Sequence, residues 1–137
     1  LHVARLTAIS LALVAAAQSA SRTIWDGVYS ADQAKRGEVI YQGACGSCHG
    51  AMLDGMDTAP ALSGGAFMAK WDSVNLADMA DRIRVTMPMS RPGSLGRQQV
   101  VDVLAYMLSF NGVPPGDTEL TPQSSSLREI RFLSSKP

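Results

Sequence analysis

Residues 43–50 read "GACGSCHG". They hold both cysteines of the 137-residue chain and His49, one of its two histidines. Four chemistries use such a cluster. A Cys45–Cys48 disulfide suits an exported protein. A thioredoxin-like redox pair belongs to a βαβ setting, whereas the flanks here read as helix and loop. A zinc site takes four protein ligands. Cys45, Cys48 and His49 supply three, and the other histidine, His2, lies in a leader-like N-terminus. The fourth chemistry is covalent attachment of haem through Cys-x-x-Cys-His.

The fourth accounts for the spacing. Two thiols that add across the vinyl groups of a porphyrin must sit about one porphyrin edge apart, and two intervening residues in a helical turn allow that. The adjacent imidazole then supplies a nitrogen ligand to the iron. One covalent haem c is therefore expected. It would also help a small domain with 6% aromatic residues to fill its core. The chain without it should fold poorly.

Working outward, residues 1–20, "LHVARLTAISLALVAAAQSA", carry Arg5 and then an uncharged run from Leu6 to Ala17. That is the layout of a signal peptide, with Ala15-x-Ala17 as the best cleavage signal and cuts after Ser19 or Ala20 as alternatives. The apolar run is shorter than the roughly 20 residues a spanning helix needs. An exported, periplasmic protein is expected. Apolar residues at 46% and charged residues at 18% describe an ordinary globular chain. The formal charge of +0 points to no nucleic acid and to membrane contact only through partners. Removing the leader takes away Arg5 and leaves 11 basic and 12 acidic side chains.

Ser30 with Gln33 forms a capping-box pattern that predicts a first helix from Ala31 to about Tyr41. Glycines and Pro60 interrupt the stretch from Gly50 to about Lys70, which reads as one long loop. Asn75 caps a second helix, whose stripe is Leu76, Met79, Ala80 and Ile83 and which ends before Pro88. After the turn "SRPGSLG" (90–96), "RQQVVDVLAYMLSFNG" predicts a third helix, stopped by Asn111-Gly112. No strand of convincing length appears. Residues 121–137 form a Ser- and Pro-rich tail, in which Leu127, Ile130 and Phe132 could still pack onto the domain. The expected fold is all-α: 21–120 as one domain, three main helices and a long loop.

With the leader removed, His49 stands alone, so a second axial ligand falls to methionine. Met52 and Met56 lie too close to His49 to reach the other face. Met79 and Met107 read as core, and Met68 sits in the long loop. Met87 and Met89 flank Pro88, 38 and 40 residues past His49. Residues i and i+2 of an extended segment share a side, so spacing alone does not separate them.

Beyond the haem motif, the chain carries "WDGVYS", Gly37 and Tyr41 in "RGEVIYQGACGSCHG", "APALSG", "TMP", "RPGSLG" and "VDVLAYMLSFNG" in that order. From about Trp25 to Leu120 it resembles class I c-type cytochromes, most closely the small bacterial kind associated with quinoprotein dehydrogenases. The resemblance implies a cytochrome c fold, thioether anchors at Cys45 and Cys48, and His49 as the proximal ligand. It implies Met87 rather than Met89 as the distal ligand. It also implies a Pro60 carbonyl bonded to the proximal imidazole, Trp71 and Arg91 as partners of the haem propionates, and Gly37 and Tyr41 packed near Tyr106. Gly96 departs from the serine usual at that cap. The implied function is a monohaem electron carrier, not an enzyme. Its partners would be redox proteins such as a dehydrogenase donor and a terminal oxidase or other acceptor. They would dock at a haem edge near Ala51, Met52 and Met89. The alternatives are a haem enzyme or gas binder with an open sixth position, and a subunit of a quinoprotein dehydrogenase complex.

Overall fold

The computed structural model describes residues 21–57 and 59–137. The leader expected at 1–20 lies outside the described residues. Among the described residues eight elements follow one another: β1 (Arg22–Thr23), α1 (Ala31–Ala44), α2 (Gly46–His49), α3 (Gly64–Trp71), α4 (Leu76–Thr86), α5 (Arg97–Phe110), α6 (Ser124–Arg128) and β2 (Ile130–Arg131).

α1 starts where Ser30 Oγ accepts the Gln33 amide at 3.0 Å. It runs to Ala44, past the expected end at Tyr41, and the Cys45 amide still reaches the Tyr41 carbonyl at 2.8 Å. The capping box is only half made. Instead of returning to Ser30, the fully buried Gln33 side chain donates to Asp102 Oδ1 (3.1 Å) and the Leu120 carbonyl (2.9 Å), and accepts the Leu120 amide (2.8 Å). Three buried partners stabilise more than one exposed cap bond.

α1 crosses α5, and the two make the main helical contact of the molecule. Gly37 permits the approach, since a β-carbon there would collide with the Asp102 carbonyl. Beside it, the Tyr41 and Tyr106 rings tilt together at 5.3 Å. Every residue from Val100 to Leu108 of α5 is buried, because α1, α4 and the C-terminal segment cover it on several sides. Gly96 serves as its cap through its own backbone: its amide donates to Gln99 Oε1 at 2.9 Å.

α4 follows the predicted pattern. Asn75 Oδ1 accepts the Asp78 amide at 3.0 Å, and Leu76, Met79 and Ala80 face the core. The helix ends at Thr86, and Met87 is extended (φ −122°, ψ 153°), as a residue before proline should be.

Two segments differ from the sequence reading. The presumed loop 50–70 contains α3 over its second half. Gly64 has φ +84° and looks like a breaker, yet Phe67 and Met68 then turn inward and hold a two-turn helix against the core. The presumed tail 121–137 is woven into the domain. α6 packs on α4. β2 pairs in parallel with β1 (Arg22 with Ile130, Thr23 with Arg131). Phe132 exchanges backbone bonds of 2.7 Å with Ser73 and Val74, and its ring meets Phe67 edge-on at 6.1 Å. Trp25 Nε1 donates to the Leu133 carbonyl at 3.0 Å. Leu127, Ile130 and Phe132 are all buried. Among the described residues no helix is long and apolar enough to cross a membrane.

Candidate functional site

Cys45 closes α1 and opens α2, a single turn that carries Cys48 and His49. The Cys48 and His49 amides both return to the Cys45 carbonyl, at 3.1 and 2.9 Å. This turn presents the two thiols and the imidazole together. The cysteines are not joined to each other: Cys45 is half-buried and Cys48 exposed. Burial pushes the Cys45 thiol up, and the neighbouring Cys48 thiol adds to the shift.

His49 is 8% exposed. Its Nδ1 lies 2.8 Å from the Pro60 carbonyl. A carbonyl only accepts, so the proton of the neutral ring sits on Nδ1. Nε2 is then left with a lone pair, the state a metal ligand needs.

The loop that carries Pro60 is braced from several directions. The Gly55 amide returns to the His49 carbonyl at 2.8 Å. The Gly50 carbonyl accepts the Leu53 amide at 3.1 Å and the hydroxyl of buried Tyr41 at 2.8 Å. Fully buried Leu53 offers its carbonyl to the Leu62 amide (2.8 Å) and to Ser63 Oγ (3.0 Å). Gly55 stands at φ +80°, where a β-carbon would sit 2.7 Å from the Ala61 nitrogen. Asn111 clamps the far end: its Nδ2 donates to the Leu62 and Met107 carbonyls (3.1 and 2.8 Å), and its Oδ1 accepts the Gly64 amide at 3.0 Å. In the sequence Asn111 reads as a helix stop and nothing more. An Asn-Gly pair carries no local sign of a partner nearly 50 residues away.

Burial sorts the methionines. Met68, Met79 and Met107 are core, at 8%, 2% and 4% exposure. Met52, Met56 and Met89 stand out at 62%, 52% and 80%. Met87 alone is half-buried, at the end of α4 with its amide on the Ile83 carbonyl (2.9 Å). Trp71, at the end of α3, is half-buried against the core. Arg91 is exposed in the turn after Met87, and Ala51 is exposed beside Met52.

Two free thiols one turn apart and a fixed imidazole with Nε2 available match the anchors and nitrogen donor of a covalently attached haem. A family model described as cytochrome C oxidase, cbb3-type, subunit III matches residues 32–107, more than half of the chain. No curated protein matches the sequence significantly. Among solved structures, the sulfane dehydrogenase SoxCD from Paracoccus pantotrophus matches with a TM-score of 0.56 at 22% identity, over 79% of this chain and 61% of that one. The likeness is one of fold, and this chain spans about three-fifths of its neighbour's length. With the family match covering the Cys-x-x-Cys-His turn and both crossing helices, the chain belongs to this family and is a class I c-type cytochrome, with covalent haem c as its cofactor and electron transfer as its chemistry.

Proposed function

We propose that the chain is an exported, periplasmic monohaem carrier that passes single electrons between redox proteins. Cys45 and Cys48 form the thioether anchors, and His49 and Met87 ligate the iron. The observation that carries this reading is the His49 Nδ1–Pro60 contact of 2.8 Å, which leaves Nε2 free beside two unpaired thiols. Haem bound there supplies a one-electron Fe(III)/Fe(II) couple. The Pro60 carbonyl fixes the ring plane and makes His49 a better donor. Met87, a soft neutral donor, favours the reduced state and raises the potential. The leader-like residues 1–20 support export. The matched family's name and the structural neighbour, a dehydrogenase, support an oxidase as acceptor and a dehydrogenase as donor.

The rival is an enzyme or gas binder whose sixth position is open. The test is the oxidised absorption spectrum in the far red, where an iron–thioether bond gives a weak band. Met87→Ala should abolish that band and lower the potential, while Met89→Ala keeps both. A wild-type spectrum without the band, or rapid binding of carbon monoxide to the reduced protein, would favour the rival. Loss of the band in Met89→Ala alone would move the ligand to Met89.

A further inference from the structure

The family match ends at residue 107. Beyond it, residues 119–134 form a strap that is fastened to three separate parts of the domain. At its start it is held on α1. The Leu120 amide and carbonyl both bond the buried Gln33 side chain, and Glu119 pairs with Arg36 at 2.7 Å. In its middle, α6 packs on α4. Pro122 and the buried Leu127 line one groove with Ala77, Ala80 and Arg84. At its end the strap is bonded to the joint between α3 and α4, residues 72–75. The Ser73 amide donates to the Phe132 carbonyl and the Phe132 amide to the Val74 carbonyl, both at 2.7 Å. The Ser134 amide donates to Asp72 Oδ1 at 2.7 Å, and Arg131 Nη2 to the Ser73 carbonyl at 3.3 Å.

We infer that this strap positions Met87. It joins α1, which runs into the Cys45 turn, to α4, which ends one residue before Met87. The inference rests on Met87 as the thioether ligand, proposed above. The segment 87–96 is held by local backbone returns, so its first residue is only as well placed as the helix it hangs from. α4 rests on α5. The strap adds a hold at its N-terminal joint and another along Ala77, Ala80 and Arg84, the last of these one turn before Met87. A donor held near its working place by the fold loses less freedom when it binds. Without the strap, α4 has fewer buried contacts and opens locally at lower cost.

The test uses the haem-loaded full chain. The Met87 amide bonds the Ile83 carbonyl, so its hydrogen exchange reports opening at the end of α4. Leu127→Ala, which strips apolar contact between α6 and α4, should speed that exchange about tenfold. It should also weaken the far-red band of the oxidised protein and speed carbon monoxide binding to the reduced protein. Asp72→Ala is a milder change at an exposed side chain. Losing the Ser134 bond should speed Met87 exchange about threefold. Asp72→Asn, which keeps Oδ1 as an acceptor, should restore the wild-type rate. Val113→Ala removes buried volume outside the strap. It should lower the urea midpoint and leave Met87 exchange and the band as in wild type.

Equal acceleration in Val113→Ala and Leu127→Ala would reduce the strap to general stability and overturn the inference. So would a Met87 amide that neither Leu127→Ala nor Asp72→Ala moves, or faster exchange with an unaltered band and carbon monoxide rate. All three outcomes leave the carrier reading intact. A wild-type protein without the band overturns Met87 ligation itself, and the inference with it.

Discussion

His49 and Met87 stand in stretches that the fold holds in different ways. Around His49, the segment 49–63 is tied to α1 through Tyr41, to α5 through Asn111, and to itself through Gly55 and Leu53. Around Met87, the segment 87–96 relies on local returns: Met87 to Ile83, Arg91 to Pro88 and Ser94 to Arg91, at 2.9, 2.9 and 3.2 Å. The His49 side is tied to distant parts of the chain. The Met87 side has few protein partners of its own, so the proposed ligand bond is what would fix it.

The sharpest way to break this contrast is to add the same methyl group to each side. Gly55→Ala places a β-carbon against Ala61 at positive φ. It should cost about 3 kcal/mol, strain and overpacking together. Gly93→Ala also stands at positive φ but meets only an ordinary contact, the Arg84 carbonyl at 3.9 Å. It should cost about 1 kcal/mol. Urea unfolding of the two haem-loaded variants measures both, and equal costs would erase the distinction. Next in size is Asn111→Ala. It removes two bonds that join the end of α5 to the loop, at Leu62 and Gly64, and one back to Met107 within the helix, and should cost about 2 kcal/mol. Hydrogen exchange at Gly64 should accelerate in that variant, with the Arg91 and Ser94 amides unaffected.

Smaller still is Tyr41→Phe, at about 1 kcal/mol, because the Gly50 carbonyl keeps its bond from Leu53. It carries a pH signature as well. Burial holds the Tyr41 phenol above its ordinary value. An acid whose folded pKa is raised stabilises the fold fully below its unfolded pKa, near 10. That contribution is lost as pH rises toward the folded value. Stability should therefore fall above pH about 10, and Tyr41→Phe should make that fall shallower by one proton. An unchanged slope would show that Tyr41 already ionises normally.

Much of the site is legible in the sequence because it is local. Cys45, Cys48 and His49 share one turn, and a motif of five residues is enough to read them. α1, α4 and α5 announce themselves through Ser30, Asn75 and their apolar stripes. What escapes is non-local. Gln33 looks like a capping partner and is instead a buried link between α5 and Leu120, because its acceptors come from far along the chain. α3 hides behind Gly64 and Gly65, whose disfavour for helix is outweighed by burial of Phe67 and Met68. The C-terminal segment has the composition of a tail. Its order comes from pairing with Arg22–Thr23 and from Trp25, contacts that span more than a hundred positions. Asn111 belongs to the same class.

The central claim is that the turn 45–49 binds its cofactor covalently and by both sulfurs. Intact mass spectrometry of the chain, produced in a host that matures c-type cytochromes and then stripped with acidified acetone, tests it most directly. The account predicts the mass of the polypeptide plus one haem, with the increment mapping to the peptide that holds Cys45 and Cys48. Cys45→Ala or Cys48→Ala should each leave a single thioether, and the double variant none. The bare mass of the unmodified chain after that treatment would contradict it.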